Sequence, residues 1–165
     1  MYKRQVYTFA QWVGARLPSE AEWEFAYRSR GLNQNYPWGN DEPACSLVHY
    51  NPAYNPEAIQ QPADGCYDRQ TARVCSYTLG NSAQNVCDLA GNIREWVQDE
   101  FHESYEGIPT DGRGWCALEG CIPDPLVNRI IRGGGYTSPD GLNFRGSFDP
   151  AFQSFNFGGR LVRSR

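Results

Sequence analysis

Two groups of residues in this chain have types and spacings that could do chemistry. The first is the run Asp88-Leu89-Ala90-Gly91-Asn92-Ile93-Arg94-Glu95-Trp96-Val97. Asp88, Asn92 and Glu95 offer hard oxygen donors, and Gly91 lets the backbone turn so that main-chain carbonyls can point inward between the two acids. This pattern suits a small calcium loop leading into a core strand or helix. It also suits an ordinary turn with solvated acids and a core Trp. Spacing alone favours the ordinary turn, because short motif matches carry false positives. The second group is six cysteines: Cys45, Cys66, Cys75, Cys87, Cys116 and Cys121. An even count in a modest domain reads as disulfides made in an oxidising compartment. Zinc is disfavoured, since no C-x2-C pair occurs and His49 and His102 stand outside metal-ligand spacing with any Cys. Cys116 and Cys121 bracket a short Gly-containing loop and are expected to pair. The others are left as Cys45–Cys66 with Cys75–Cys87, or Cys45–Cys87 with Cys66–Cys75.

The elements that must position these groups are short. A chain of 165 residues suits one well-cored domain. Five Trp, ten Tyr and eight Phe make an aromatic core the expectation, while 17 Gly and 11 Pro point to many turns. The net charge of −4, with no basic cluster, excludes nucleic acid as an expected partner. No apolar run has the length of a membrane span. Lys3 is the single Lys, and Met1-Tyr2-Lys3-Arg4-Gln5 resembles a translated sequencing adapter. Residues 1–5 are therefore read as a scar and set aside, with residues 6–165 as a single domain. On that reading the missing signal peptide carries no information on location.

In chain order, Tyr7 to Val13 reads as the tail of a helix. Ser19 and Glu22 form a capping box that opens a second helix, with Trp23, Ala26 and Tyr27 on one face, Ala21 and Phe25 beside them, and Gly31 as its stop. Tyr36-Pro37-Trp38-Gly39-Asn40 is a turn holding a buried aromatic. Asp41 to Asn81 is irregular and needs disulfides to hold it. Phe101 to Pro125 is a second irregular stretch. A strand over Leu126 to Ile131 runs into Gly133-Gly134-Gly135, which implies close backbone approach. No Lys-Ser/Thr follows, so this is not a phosphate loop. Gly158 to Arg163 is expected as a final strand.

The ordered set Arg16-Leu17-Pro18-Ser19-Glu20-Ala21-Glu22-Trp23-Glu24, Tyr36-Pro37-Trp38-Gly39, Asp88 to Trp96, Ile131-Arg132-Gly133-Gly134 and Gly159-Arg160-Leu161-Val162-Arg163 resembles the formylglycine-generating enzyme family, also called sulfatase-modifying factor domains. The resemblance covers Tyr7 to Arg165 and implies that the family's N-terminal third is missing. It implies an α+β fold of the C-type-lectin-like kind, with low regular secondary structure and structural calcium. By resemblance, one calcium takes the side chains of Asp88 and Glu95 and the carbonyls of Gly91 and Ile93, so the calcium reading becomes the preferred one. A second family calcium site would fall between His49 and Asp64. His49 stands where the family has Asn, so that site is not expected.

The family's founding enzymes oxidise a substrate cysteine to formylglycine with copper(I) held by a C-x4-C pair after Arg-Gly-Gly. Soft thiolates are what copper(I) requires. Counted from Arg132, those positions are Ser138 and Asn143, while Arg145 matches a family arginine. Copper is not expected, and no catalytic residue is assigned. Cys116 and Cys121 also read C-x4-C, but precede Arg132 and are expected as a local disulfide. The expected function is a non-catalytic, extracytoplasmic (periplasmic, cell-surface or secreted) module binding a protein or small-molecule ligand. Its expected ligand surface surrounds Tyr136, Ser138, Asn143 and Arg145. The alternative is a formylglycine-generating-type oxidoreductase, or an accessory subunit acting on sulfatase-like substrates.

Overall fold

The apolar residues after the Gly-Asn turn extend as a strand. The computed structural model describes residues 3–50, 70–122, 124–136 and 142–163. In it β1 (Arg94–Glu100) pairs antiparallel with β2 (Arg129–Arg132), setting Glu95 against Arg132 and Trp96 against Ile131. The register shifts between Trp96 and Glu100, the local irregularity by which a bulged strand bends. β2 pairs antiparallel with β3 (Arg145–Phe148), and β4 (Phe157–Gly158) completes a sheet of order β3-β2-β1-β4. Two α-helices precede the sheet, α1 (Lys3–Trp12) and α2 (Glu20–Tyr27). Mixed short helices and strands make the fold α+β, as the family resemblance implies.

The chain divides into two compact units. The first comprises Met1–Trp23, Glu95–Arg132 and Arg145–Arg165, and the second Glu24–Arg94 and Gly133–Phe144. In the first unit Val6, Ala10, Leu17, Trp23, Trp96, Val97, Ile130, Ile131 and Phe157 are buried. Phe157 meets Trp96 and Phe148 edge-on, at 5.5 and 4.9 Å between ring centres, the arrangement favoured by ring quadrupoles. Gly159 lets the backbone lie against this core, because a methyl group there would stand 2.9 Å from Val6 Cγ1. Residues 3–5, set aside in the sequence reading, form the first turn of α1. Lys3 is fully buried, with Nζ donating to the Gln98 carbonyl at 2.8 Å. Burial holds that ammonium well below the usual lysine range.

The capping box forms as its residues dictate. Glu22 N donates to Ser19 Oγ at 3.1 Å, and Ser19 N donates to Glu22 Oε2 at 2.9 Å. Arg16 grips the same carboxylate with both guanidinium nitrogens at 2.6 and 2.7 Å, and this bond holds the Glu22 carboxyl below its ordinary range. Trp23 and Tyr27 face the core, whereas Phe25 is exposed. The helix ends at Tyr27, earlier than a Gly31 stop implies, because Ser29 and Arg30 already take the left-handed conformation. The expected strand from Gly158 to Arg163 contracts to Phe157–Gly158 plus an isolated bridge between Arg16 and Val162.

In the second unit the Gly-Asn turn acts as a clamp. Asn92 N donates to the His49 carbonyl at 2.7 Å, and the Asn92 side chain exchanges two hydrogen bonds with the backbone of Ala72 at 3.0 and 3.3 Å. Tyr136 N closes the set, donating to the Asn92 carbonyl at 2.9 Å. Gly91 has φ +75°, and a Cβ there would lie 2.4 Å from the His49 carbonyl oxygen. Disulfides join Cys75 to Cys87 here and Cys116 to Cys121 in the first unit. Of the two connectivities left open, this is the one with Cys75–Cys87. Cys45 is disulfide-bonded as well, its partner lying outside the described residues.

Gly91→Ala combines left-handed strain with a backbone clash, and is expected to lower unfolding stability by about 3 kcal/mol or more. Urea denaturation of the parent and the variant checks this. Free-thiol titration of denatured, unreduced protein is expected to find essentially none, and several thiols per chain would contradict the bonding described.

Candidate functional site

The polar core of the first unit is built around two carboxylates. Glu95, at the start of β1, is buried, with 6% of its surface exposed. Its Oε2 accepts from Trp23 Nε1 at 2.7 Å and from Arg160 Nε at 2.6 Å, and its Oε1 accepts from Arg160 Nη2 at 2.7 Å. Two parallel N–H···O bonds to one carboxylate are the strong, orientation-fixing form of an ion pair. Glu20, at the start of α2, is the second. Arg145 holds both its oxygens, through Nε at 2.7 Å and Nη2 at 3.2 Å, while Tyr105 donates to Oε1 at 3.1 Å and Arg132 lies 3.6 Å away. The guanidinium of Arg132 in turn lies over the Trp23 ring, 4.8 Å from its centre.

A third acid ties loops to this frame. Asp99 accepts from Glu20 N at 2.6 Å and from Trp115 N at 2.9 Å. Burial pushes its carboxyl above the ordinary range, against the pull of those two bonds. The Trp115 ring stacks on His102 at 3.6 Å between centres. Two concavities open in the same unit. One, of about 960 Å³, runs along α1 past Phe9, Trp12, Pro125 and Pro150. The other, of about 710 Å³, is lined by Gln98, Arg113, Trp115 and the disulfide-bonded Cys116 and Cys121.

The predicted calcium ligands are used differently. Asp88, Gly91 and Ile93 belong to the second unit and Glu95 to the first. Asp88 Oδ2 accepts from Cys75 N at 2.7 Å. Glu95 does not fit the role in this geometry. Both its oxygens are engaged, and a calcium ion there would have to displace the Arg160 guanidinium, a cation already in place. Asp88 also lies beside Cys75 and Cys87, but the sulfurs of that cluster are joined to each other and are not thiolate ligands. His49, expected to spoil a second calcium site, has Nε2 2.8 Å from the Gln70 carbonyl and Nδ1 3.2 Å from the Tyr77 hydroxyl.

The predicted ligand surface is likewise redistributed. Tyr136 is buried, 7% exposed, with its ring 6.0 Å from that of His49, so it is a core aromatic and not a contact residue. Arg145 is committed to Glu20 and lies over the Tyr105 ring at 4.7 Å. Asn143 is exposed, and Ser138 lies outside the described residues. The partners that matter most, Arg160 and Trp23 on Glu95 and Arg145 on Glu20, join segments far apart in sequence, and only the family motifs containing them gave any signal.

Short strands, a capping-box helix and buried Glu–Arg pairs linking distant motifs define a sulfatase-modifying-factor-like domain. The family description "Sulfatase-modifying factor enzyme 1-like domain" matches residues 3–165, and the chain belongs to that family. It is 31% identical over 172 residues to a formylglycine-generating enzyme of Streptomyces coelicolor, covering 93% of this chain and 48% of the relative. It is 33% identical over 135 residues to the serine/threonine-protein kinase Pkn1 of Chlamydia trachomatis, covering 79% of this chain and 18% of that protein. A hercynine oxygenase of Mycolicibacterium smegmatis is 32% identical over 162 residues, covering 93% of this chain and 34% of that protein. The chain thus spans about half or less of these relatives. PvdO from Pseudomonas aeruginosa shares the fold, with a TM-score of 0.75 at 24% identity over 98% of this chain and 59% of that one.

Because the Trp23 indole N–H and the Arg160 guanidinium would both lose their acceptor on Glu95, Glu95→Ala is expected to destabilise the protein by about 1–3 kcal/mol. Chelator is expected to lower the melting temperature of the parent and of Glu95→Ala alike, since the calcium ligands would be Asp88 and the Gly91 and Ile93 carbonyls. A chelator-induced drop in the parent that is lost in Glu95→Ala would instead make Glu95 a metal ligand.

Proposed function

We propose that this chain is a sulfatase-modifying-factor-like domain that does not carry out the family's copper chemistry and serves as an extracytoplasmic binding module. One observation carries the reading: among the described residues no cysteine is free. Cys75 pairs with Cys87, Cys116 pairs with Cys121, and Cys45 is disulfide-bonded too. Copper(I) needs soft thiolate donors. The positions that supply them in the formylglycine-generating relatives are Ser138 and Asn143 here, a hydroxyl and an amide.

The same sulfurs support the proposed location, since stable disulfides belong to oxidising compartments: periplasm, cell surface or secretion. No helix among the described residues is long and apolar enough to cross a membrane. The binding half of the reading is supported by the scaffold, whose short strands carry long irregular stretches, the kind of surface that supplies contacts in many folds. The family resemblance adds structural calcium to the proposal. Asp88 and the carbonyls of Gly91 and Ile93 would hold that ion, with Glu95 left to Arg160.

The test is a copper-loaded incubation under oxygen with a peptide carrying the family's Cys-x-Pro-x-Arg motif, read by mass spectrometry. No formylglycine is expected, from this chain or from the full-length product of its gene. Copper-dependent conversion by either would overturn the proposal.

A further inference from the structure

The Cys116–Cys121 disulfide stands apart from an ordinary staple in three respects. It closes a loop of only five residues' separation, so it gives far less chain restriction than a long-range bridge. It lines a cavity of about 710 Å³ together with Gln98, Pro109, Arg113 and Trp115. Cys116 is half-buried in a loop whose residues 117 to 120 are exposed, whereas Cys121 is 6% exposed. The two cysteines therefore differ in exposure.

They differ in electrostatics as well. Arg129 is fully buried, and its Nη1 lies 3.7 Å from Cys116 Sγ. The guanidinium is oriented by Glu100 at 3.2 Å, by the Gln98 carbonyl at 3.2 Å and by the Ile122 carbonyl at 2.9 Å. Lys3, Asp99 and Asp124 are the further charged groups that act on Arg129 or its surroundings. Arg129 is the cation whose N–H reaches the sulfur. A guanidinium at that distance favours the thiolate of Cys116 over the thiol, which lowers its pKa and makes it a better leaving group. Gly114 keeps the loop tight, since a Cβ there would lie 2.7 Å from Cys121 Sγ.

We propose that Cys116–Cys121 is a thiol–disulfide exchange site that passes its disulfide to dithiol-bearing polypeptides. The inference is independent of the copper reading. A peptide thiolate attacks Cys116 Sγ, the sulfur of the more exposed residue. The Cys116–Cys121 bond breaks, a peptide–Cys116 disulfide forms, and Cys121 leaves as a thiolate that takes a proton. The peptide's second thiolate then attacks the peptide sulfur of this mixed disulfide. A peptide disulfide forms and Cys116 leaves as a thiolate beside Arg129. The peptide loses two electrons and two protons, and the protein gains them as the Cys116/Cys121 dithiol. Oxidised glutathione can serve as the external oxidant that restores the disulfide. Cys116 is the catalytic residue, Cys121 its partner, and Arg129 acts through Cys116.

The experiment uses the whole chain in glutathione buffers of graded ratio, with acid quench, alkylation and peptide mass spectrometry. Cys116–Cys121 is expected to open at a reduced-glutathione level at least tenfold below that needed for Cys75–Cys87. Opening of the two together would overturn the proposal. With Cys121→Ser first treated with oxidised glutathione, so that Cys116 carries a glutathione disulfide, a peptide bearing a single thiol is expected to displace reduced glutathione and remain as an adduct on Cys116, and with Cys116→Ser no adduct is expected. Failure to trap any adduct counts against the site. In the reduced parent, iodoacetamide should label Cys116 with a midpoint below that of a free thiol at about 8.5, and Arg129→Met should move the midpoint up. If Arg129→Met does not fold, the parent's profile decides alone, and an ordinary midpoint would sink the claim.

Discussion

The ion pair between Glu95 and Arg160 is the constraint on which the first unit depends. A carboxylate buried on β1 would be too costly to fold around without partners. The bidentate guanidinium and the Trp23 indole N–H satisfy it from both sides. In doing so they tie the last segment of the chain and the start of α2 to the central strand. Without Arg160 the Glu95 carboxylate, 6% exposed, would lose the cation that offsets its burial. Glu20 repeats the device with Arg145, Arg132 and Tyr105, fixing β2 and β3 to the same helix start. The sheet strands are too short to specify their own packing, and these charge pairs do so instead.

The same economy of regular structure explains the second unit. Its backbone groups are met by a clamp at Asn92 rather than by a ladder, and Gly91 lets the turn come within contact of the His49 carbonyl. A Gly-Asn pair here is demanded by geometry, whether or not a cation is bound nearby. That requirement separates the motif's structural duty from any chemistry it performs in relatives. A scaffold held in this way does not depend on the reactive groups placed on it, so membership of a fold family does not by itself fix an activity.

Much of this was legible in the residues. The capping box at Ser19 and Glu22 is a local rule, satisfied within one turn, and it formed as read. The local Cys116–Cys121 pair follows from short-range spacing as well, whereas the α+β class came with the family resemblance, and only the structure chose strand over helix after the Gly-Asn turn. Lys3 and Phe25 went the other way. Lys3 sits in a segment that reads as foreign, yet its stem and ammonium are enclosed by the first unit. Phe25 sits two positions after Trp23 on α2, a spacing that does not share its buried face, and is exposed.

What the sequence by itself determined was which residue types are present and which neighbours they can reach along the chain. It thereby set the helix start, the turn glycines and the soft-donor inventory, where Ser138 and Asn143 are oxygen and amide groups under any fold. The tertiary structure alone decided the partners. Glu95 meets Arg160 across 65 residues and Glu20 meets Arg145 across 125. No periodicity or spacing encodes such pairs, because a carboxylate reads the same whether a metal, a guanidinium or water completes it. Tyr136 was turned into the core for the same reason, since burial depends on what the fold brings against a side chain and not on the side chain itself.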